Sequence, residues 1–302
     1  MNKDNSPALV VLAGSAGSHS AMTQIFRAMD ENFSACIAVI QHLSPARQSI
    51  LVDLIQKHTS REVMWLEDGH PVLSNRVYVV PPDREAMLED QTFRLRPSPR
   101  VIGGPGLIDT LGFSLANSGL RERVMVLLSG AGHDGANAIR SLKASGGLTV
   151  VQSPDSASHP DLPRAALSAA EPDLVLHPAR IPAAIENALV MADSTRYSAE
   201  EWNAGLQRAL QILENETGLD FRGYKKATMR RRLERRLGIR GTNLEQYLPL
   251  LEGDQEEQKA LTQDLLINVT SFFRDEDVFR NLSDNIMPDL LRDSGHSVRF
   301  WV

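Results

Sequence analysis

Short, continuous apolar runs recur along the first two-thirds of the chain, at Ala8–Ala13, Cys36–Gln41, Arg76–Val80, Val124–Ser129, Leu148–Gln152 and Leu174–His177. Each is aliphatic or β-branched, and most are bounded by Gly, Ser or Pro, so each predicts a buried strand. Between them the apolar positions change to a three-and-four spacing, notably over Ser18–Met29, Arg47–Lys57, Ile108–Asn117 and Ala136–Ser145, which predicts helices. Strands that are apolar throughout, rather than alternating, belong in a parallel sheet covered on both faces. The expected fold class of residues 1–192 is therefore α/β, a doubly wound, mostly parallel sheet. A polar stretch beginning at Ala192 then leads into residues 193–302, where the pattern predicts helices and a small all-α domain. Leu206, Leu210 and Leu213 share one face, Met229, Leu233 and Leu237 another, and Leu261, Leu265 and Leu266 continue the series. The last residues, Val298–Val302, predict a strand that has just begun, so a further part is expected to have been cut off.

Composition adds limits to this picture. The chain has 302 residues, 42% hydrophobic and 23% charged, which suits two globular domains. A net charge of -6 argues against nucleic acid as the partner of the whole chain. No apolar stretch approaches the roughly 20 residues of a membrane span, and the N-terminus carries no signal-peptide pattern. The single cysteine, Cys36, excludes an internal disulfide and lies in an apolar run, as a buried strand thiol would. A cytoplasmic protein without membrane insertion is expected.

The candidate chemistry stands just beyond the strands, because ligands of an open parallel sheet bind outside its carboxyl ends. The first strand is followed by Gly14-Ser15-Ala16-Gly17, the second by His42, and the strand at Val124 by Gly130-Ala131-Gly132-His133-Asp134-Gly135. A serine hydroxyl needs a base within hydrogen-bond reach, histidine supplies one near neutral pH, and a carboxylate fixes the imidazole tautomer. The N–H groups of Ala16 and Gly17, where a helix begins, are candidates for stabilising an oxyanion. Each residue also has a plainer reading. The glycine-flanked turn suits a phosphate cradle or an N-cap, His42 a turn, and Asp134 an N-cap. The case for a triad of Ser15, His42 and Asp134 rests on the coincidence of all three at strand ends.

These segments closely resemble the chemotaxis-type protein-glutamate methylesterases (CheB). The matching stretches are Ala13-Gly-Ser-Ala-Gly17, Val39-Ile-Gln-His42, Glu67-Asp-Gly69, Val77-Tyr-Val-Val-Pro-Pro82, Leu128-Ser-Gly-Ala-Gly-His-Asp-Gly135 and Leu162-Pro-Arg-Ala-Ala166. The resemblance implies the same triad, acting on γ-glutamyl methyl esters of methylated chemoreceptor-like or other signalling proteins, with neither metal nor cofactor. Departures stand at Ala13, at Ser18, and in the loop Val101–Gly106, which lacks the arginines often found before the Ile-Asp pair, here Ile108-Asp109.

The later part resembles the helical N-terminal domain of chemotaxis-type protein-glutamate methyltransferases (CheR). The resemblance rests on Thr217-Gly-Leu-Asp-Phe, Tyr224-Lys-Lys, Arg230-Arg-Arg-Leu-Glu-Arg-Arg236 and Asn268-Val-Thr-Ser-Phe-Phe-Arg-Asp275. It implies that Asn268, Thr270 and Arg274 lie beside S-adenosylmethionine and the substrate glutamate, in a site left incomplete without the cofactor-binding domain. Methyl transfer is therefore not expected of this chain, which reads as part of an esterase–methyltransferase fusion. Between Arg222 and Arg240 there are nine Lys or Arg residues and one acid, Glu234. Arg232, Arg235 and Arg236 share a helical face, which the resemblance makes a docking surface for acidic receptor helices; a solvated helix face is the plainer reading. Two other classes compete with an active esterase: an inactive scaffold coupling partners to the methyltransferase half, and an anion-binding module.

Overall fold

The computed structural model describes residues 7–42, 50–98, 106–191, 197–221 and 223–266. In chain order the first part runs β1 (Leu9–Gly14), α1 (Ser18–Ala28), β2 (Cys36–Gln41), α2 (Leu51–Gln56), β3 (Glu62–Trp65), β4 (Arg76–Val79), β5 (Arg84–Glu89) and β6 (Thr92–Pro97). It continues through α3 (Leu107–Asn117), β7 (Arg123–Leu127), α4 (Ala136–Ala144), β8 (Leu148–Gln152), α5 (Asp161–Ala169), β9 (Leu174–Leu176) and α6 (Ile181–Met191). Seven strands form one sheet in the order β3-β4-β2-β1-β7-β8-β9, and every pairing in it is parallel.

The continuous apolar runs are explained by two cores, one on each face. Val11 and Ala13 of β1 turn toward α3, α4 and α5, while Val10 and Leu12 turn toward α1, α2 and α6. Both sets are essentially inaccessible, so neither face of β1 can carry polar residues. The sequence pattern did not predict β3 or the β5–β6 hairpin. β3 has four residues, and its burial alternates only weakly. The hairpin turns at Asp90 and Gln91, both at positive φ (46° and 65°), so it lacks the Asn-Gly or Asp-Gly pair that advertises such a turn.

The second part is helical: α7 (Ala199–Thr217), α8 (Lys226–Arg240), α9 (Leu244–Gly253) and α10 (Gln255–Leu266). Ser198 and Glu201 start α7 with a reciprocal capping box. Leu206, Leu213, Met229, Leu233, Leu237, Leu261 and Leu265 pack with Trp202 and Tyr247 into a separate core, with Leu210 partly buried beside it. Leu266, by contrast, is exposed.

The arginines expected to form a free docking face are turned inward instead. Arg232 and Arg235 are buried, and α8 packs against the α/β part. Arg232 donates from Nη1 to the Lys143 carbonyl (3.0 Å) and from Nη2 to that of Ala144 (2.6 Å), a cation closing the C-terminal end of α4. Arg235 pairs with Asp173 and lies 3.4 Å from Asp264. Asp173 in turn accepts from the Thr149 N–H (2.8 Å) and hydroxyl (2.9 Å) at the start of β8. Arg236 grips Glu257 with two bonds, of 2.8 and 2.5 Å, inside the helical part. The guanidiniums are buried because each meets a carbonyl or carboxylate set that helix periodicity alone does not reveal. This joint sits where β7 and β8 begin, at the far end of α4 from Asp134; nine helical residues separate the two by about 13 Å.

Arg235→Ala would leave Asp173 and Asp264 buried with less counter-charge. The expected loss is about 3–5 kcal/mol, toward the lower end because Lys143 Nζ stands 3.8 Å from Asp173. Denaturant unfolding of the full chain measures it; a change below about 1 kcal/mol would mean that the joint carries little stability.

Candidate active site

The strand order reverses beside β1: the chain proceeds to β2 on one side and later to β7 on the other. Such a switch point opens a crevice at the carboxyl edge of the sheet. β1 and β2 are in register with Gly14 opposite Gln41, so Ser15 and His42 are the first residues beyond a paired position on neighbouring strands, which lie about 4.8 Å apart. Asp134 follows β7, the other neighbour of β1. The three residues expected to act together thus leave adjacent strands on one edge.

The turn that carries Ser15 is held by its backbone. Ser15 N–H donates to the Ser129 carbonyl (3.0 Å), and its own carbonyl accepts from Ser18 Oγ (2.8 Å) and Gln41 Nε2 (3.3 Å). Ser18, a departure in the sequence, is fully buried and serves as a lock on this turn. A Cβ on Gly14 would stand 2.6 Å from Ser18 Cβ, so the glycine and the serine fit one another. Gly17 has φ of 77° and a Cβ there would strike Ser158, Ser129 and His159, which leaves room only for glycine. Ser129 Oγ donates to the Ala16 carbonyl (2.9 Å) and accepts the His159 N–H (3.0 Å), while Ser129 N–H donates to Gln152 Oε1 (2.8 Å). Ala16 and Gly17 therefore sit at the start of α1 on a braced turn, where helix N–H groups lack intrahelical partners.

His42 Nε2 lies 3.1 Å from Asp134 Oδ2. In a neutral ring that contact puts the proton on Nε2 and leaves the lone pair on Nδ1, the tautomer a base requires. Asp134 Oδ2 also accepts the Ile108 N–H (3.0 Å), and Oδ1 accepts that of Asp109 (2.9 Å), so the carboxylate caps α3. Burial pushes the Asp134 carboxyl up, but the bonds from His42, Asp109 and Ile108 outweigh it and hold the group below the ordinary aspartate value. It is a preformed anion beside His42.

Gly106 precedes α3 with an ordinary φ of -73°, yet a Cβ there would fall 2.1 Å from Asp134 Cγ. Gly106→Ala is therefore expected to displace the Asp134 carboxylate and lower kcat about 100-fold, with about 1–3 kcal/mol lost from stability. Ester-hydrolysis kinetics alongside thermal melting check this; unchanged kcat would show that the carboxylate relaxes freely.

Several supporting residues were not singled out by the sequence pattern. Ser129, Gln41 and Gln152 brace the Ser15 turn, and Asp109 accepts the N–H groups of Gly135 (3.1 Å) and Ala138 (2.8 Å). The signal available for Asp109 was an acid in the first turn of a helix, which elsewhere means only a dipole partner. Cys36 is buried in β2, and burial pushes its thiol up to about 12, so it remains protonated at neutral pH. Asn268, Thr270 and Arg274 lie outside the described residues. Among the described residues no helix is long and apolar enough to cross a membrane.

Comparison with known proteins points to the same fold. The CheB methylesterase family matches residues 10–185, and the all-alpha domain of CheR methyltransferases matches residues 204–266. A 104.1 kDa protein encoded in the hypE 3' region of Rhodobacter capsulatus is 31% identical over 280 residues, covering 83% of this chain and 29% of its own length. A putative protein-glutamate methylesterase/protein-glutamine glutaminase of Leptospira interrogans is 31% identical over 169 residues, covering 55% of this chain and 87% of its own length. The CheB methylesterase catalytic domain of Thermotoga maritima superposes with a TM-score of 0.54 at 24% identity, covering 60% of this chain and 97% of that one. The chain thus spans under a third of the Rhodobacter relative, and about half of a methylesterase/glutaminase from Anaeromyxobacter dehalogenans (52%).

Proposed function

We propose, from the premise that this chain belongs to the CheB methylesterase family, that Ser15, His42 and Asp134 hydrolyse γ-glutamyl methyl esters on chemoreceptor-like signalling proteins. The observation that carries the reading is the His42–Asp134 pair, at 3.1 Å, on the sheet edge that Ser15 shares. In this reading His42 Nδ1 takes the Ser15 proton as Oγ attacks the ester carbonyl. Asp134, already ionised, stabilises the imidazolium that forms. The N–H groups of Ala16 and Gly17 face the developing oxyanion. His42 returns the proton to the departing methoxy group, methanol leaves, and water, deprotonated by the same base, releases glutamate and regenerates Ser15. The chemistry draws on side chains and backbone alone.

The CheR all-alpha domain that follows gives the esterase a companion from the opposing methylation reaction. An esterase–methyltransferase fusion acting on a shared set of chemosensory partners is consistent with that order. The residues expected to approach S-adenosylmethionine lie beyond residue 266, and no step is assigned to that cofactor.

The test is methanol release from a methylated receptor fragment by the full chain, with a fluorophosphonate adduct mapped by mass spectrometry. Methanol matched to ester loss, blocked by an adduct on Ser15, is the expected result. An adduct elsewhere, or ester loss unaffected by it, would remove Ser15 from the reaction.

A further inference from the structure

Two helices at the site cap each other crosswise. Asp134, just ahead of α4, gives its carboxylate to the N-terminus of α3, accepting from Ile108 (3.0 Å) and Asp109 (2.9 Å). Asp109, in the first turn of α3, gives its own carboxylate to the N-terminus of α4, where Oδ1 accepts from Gly135 (3.1 Å) and Ala138 (2.8 Å). The two exchanges close a small ring. The Asp109 N–H donates to the Asp134 side chain, and the N–H of the residue next to Asp134 donates to the Asp109 side chain.

That residue, Gly135, has φ of 102°, and a Cβ there would meet Ile108 Cγ2 at 2.6 Å and Leu127 Cδ1 at 2.8 Å. The backbone behind Asp134 is thus in a conformation that only glycine adopts readily, and its N–H is pinned by Asp109. Asp109 is 5% exposed, so its carboxylate has been taken out of water to make these bonds. Burial pushes its carboxyl up, and the bonds from Ala138 and Gly135 oppose this only in part. An ordinary dipole partner would stay at the surface; this one is enclosed behind the triad acid.

We infer that Asp109 is a positioning residue for the esterase, which sets the direction of the Asp134 carboxylate toward His42 by fixing the Asp134–Gly135 backbone through the crossed caps of α3 and α4. It acts through Asp134 and touches neither Ser15 nor the ester. The inference rests on the triad reading above. What matters is an acceptor oxygen at this place, so asparagine should preserve the function and alanine should not.

The test compares Asp109→Ala and Asp109→Asn in the full chain by two measurements. The first is the His42 ring N–H resonance in 15N-labelled protein, which needs no substrate and therefore separates failure of this inference from failure of the esterase reading. Loss or displacement of that resonance in Asp109→Ala, with return to its place in Asp109→Asn, is expected. The second is ester hydrolysis, where kcat should fall about 10–100-fold in Asp109→Ala at unchanged KM, and recover to within a few-fold in Asp109→Asn. A purely structural role would lower the melting temperature while leaving both readouts of the folded protein alone, and that result would overturn the inference. Loss of the resonance in both variants would overturn it too, because the acceptor geometry would then not be what matters. Asp109→Asn keeps the shape and the acceptor, so it supplies a folded variant even if alanine proves too disruptive.

Discussion

Ser15→Ala is expected to lower kcat for methanol release by about 10⁶, to the residual level that binding and oxyanion stabilisation sustain without a nucleophile. The fold should barely register the change. Every bond that holds the Ser15 turn comes from its backbone: the N–H to Ser129, and the carbonyl to Ser18 and Gln41. Removing the hydroxyl takes nothing from that framework, and stability is expected to stay within about 0.5 kcal/mol. Release kinetics and a melting curve on one preparation check both halves. Undiminished release would remove Ser15 from the mechanism, whereas a large drop in melting temperature would mean that the hydroxyl has a structural partner.

Asp134→Asn should cost about 10⁴ in kcat, by a different route. The carboxylate accepts on both oxygens: Oδ1 from Asp109, Oδ2 from Ile108 and His42. Asparagine has one acceptor oxygen. If it keeps the Asp109 bond, its NH₂ faces the Ile108 N–H, donor against donor, and offers His42 Nε2 a proton instead of taking one. The ring then holds its proton on Nδ1, and the base is lost. The unpaired Ile108 N–H adds about 1–3 kcal/mol of instability. The pH dependence comes from the direction of the aspartate shift. Because the folded group lies below its ordinary value, it contributes stability above the usual carboxylate range and loses that contribution as pH falls through the lowered value. Asp134→Asn should therefore differ most from the parent in melting temperature near neutrality, and the two should converge in acid. Parallel melting curves at all pH values would mean that the hydrogen-bonded carboxylate of Asp134 adds nothing to stability.

The gathering of Ser15, His42 and Asp134 was legible because they stand beyond the ends of continuous apolar runs, and a parallel sheet gathers such ends on one edge. Ser15 and His42 needed only the register of β1 and β2 to become neighbours. Asp109 was not legible in that way. Its partners, Gly135 and Ala138, lie 26 and 29 residues along the chain, and only the crossing of α3 and α4 brings them within reach. The arginines of α8 misled for a related reason. A run of like charges predicts solvent because burying a guanidinium is costly, yet Arg232 finds its acceptors 88 and 89 residues away, at the carbonyl end of α4. Local pattern registers the cost of burial, not the distant groups that offset it. The Asp90-Gln91 turn was hidden by its own residues, which adopt positive φ without glycine.

The joint between α8 and the sheet also changes what the peptide link between the halves is for. Arg232 closes the end of α4, Arg235 reaches the aspartates, and Gly238 lets α8 approach so closely that a Cβ there would meet the Ala188 backbone at 2.8 Å. These contacts join α8 to α4, α6 and the start of β8. Two polypeptides divided between α6 and α7 would keep these matching faces, and the helical half is expected to dock on the α/β half as one subunit docks on another. Up to Leu266 the two parts form one compact unit, and this joint is what fastens them.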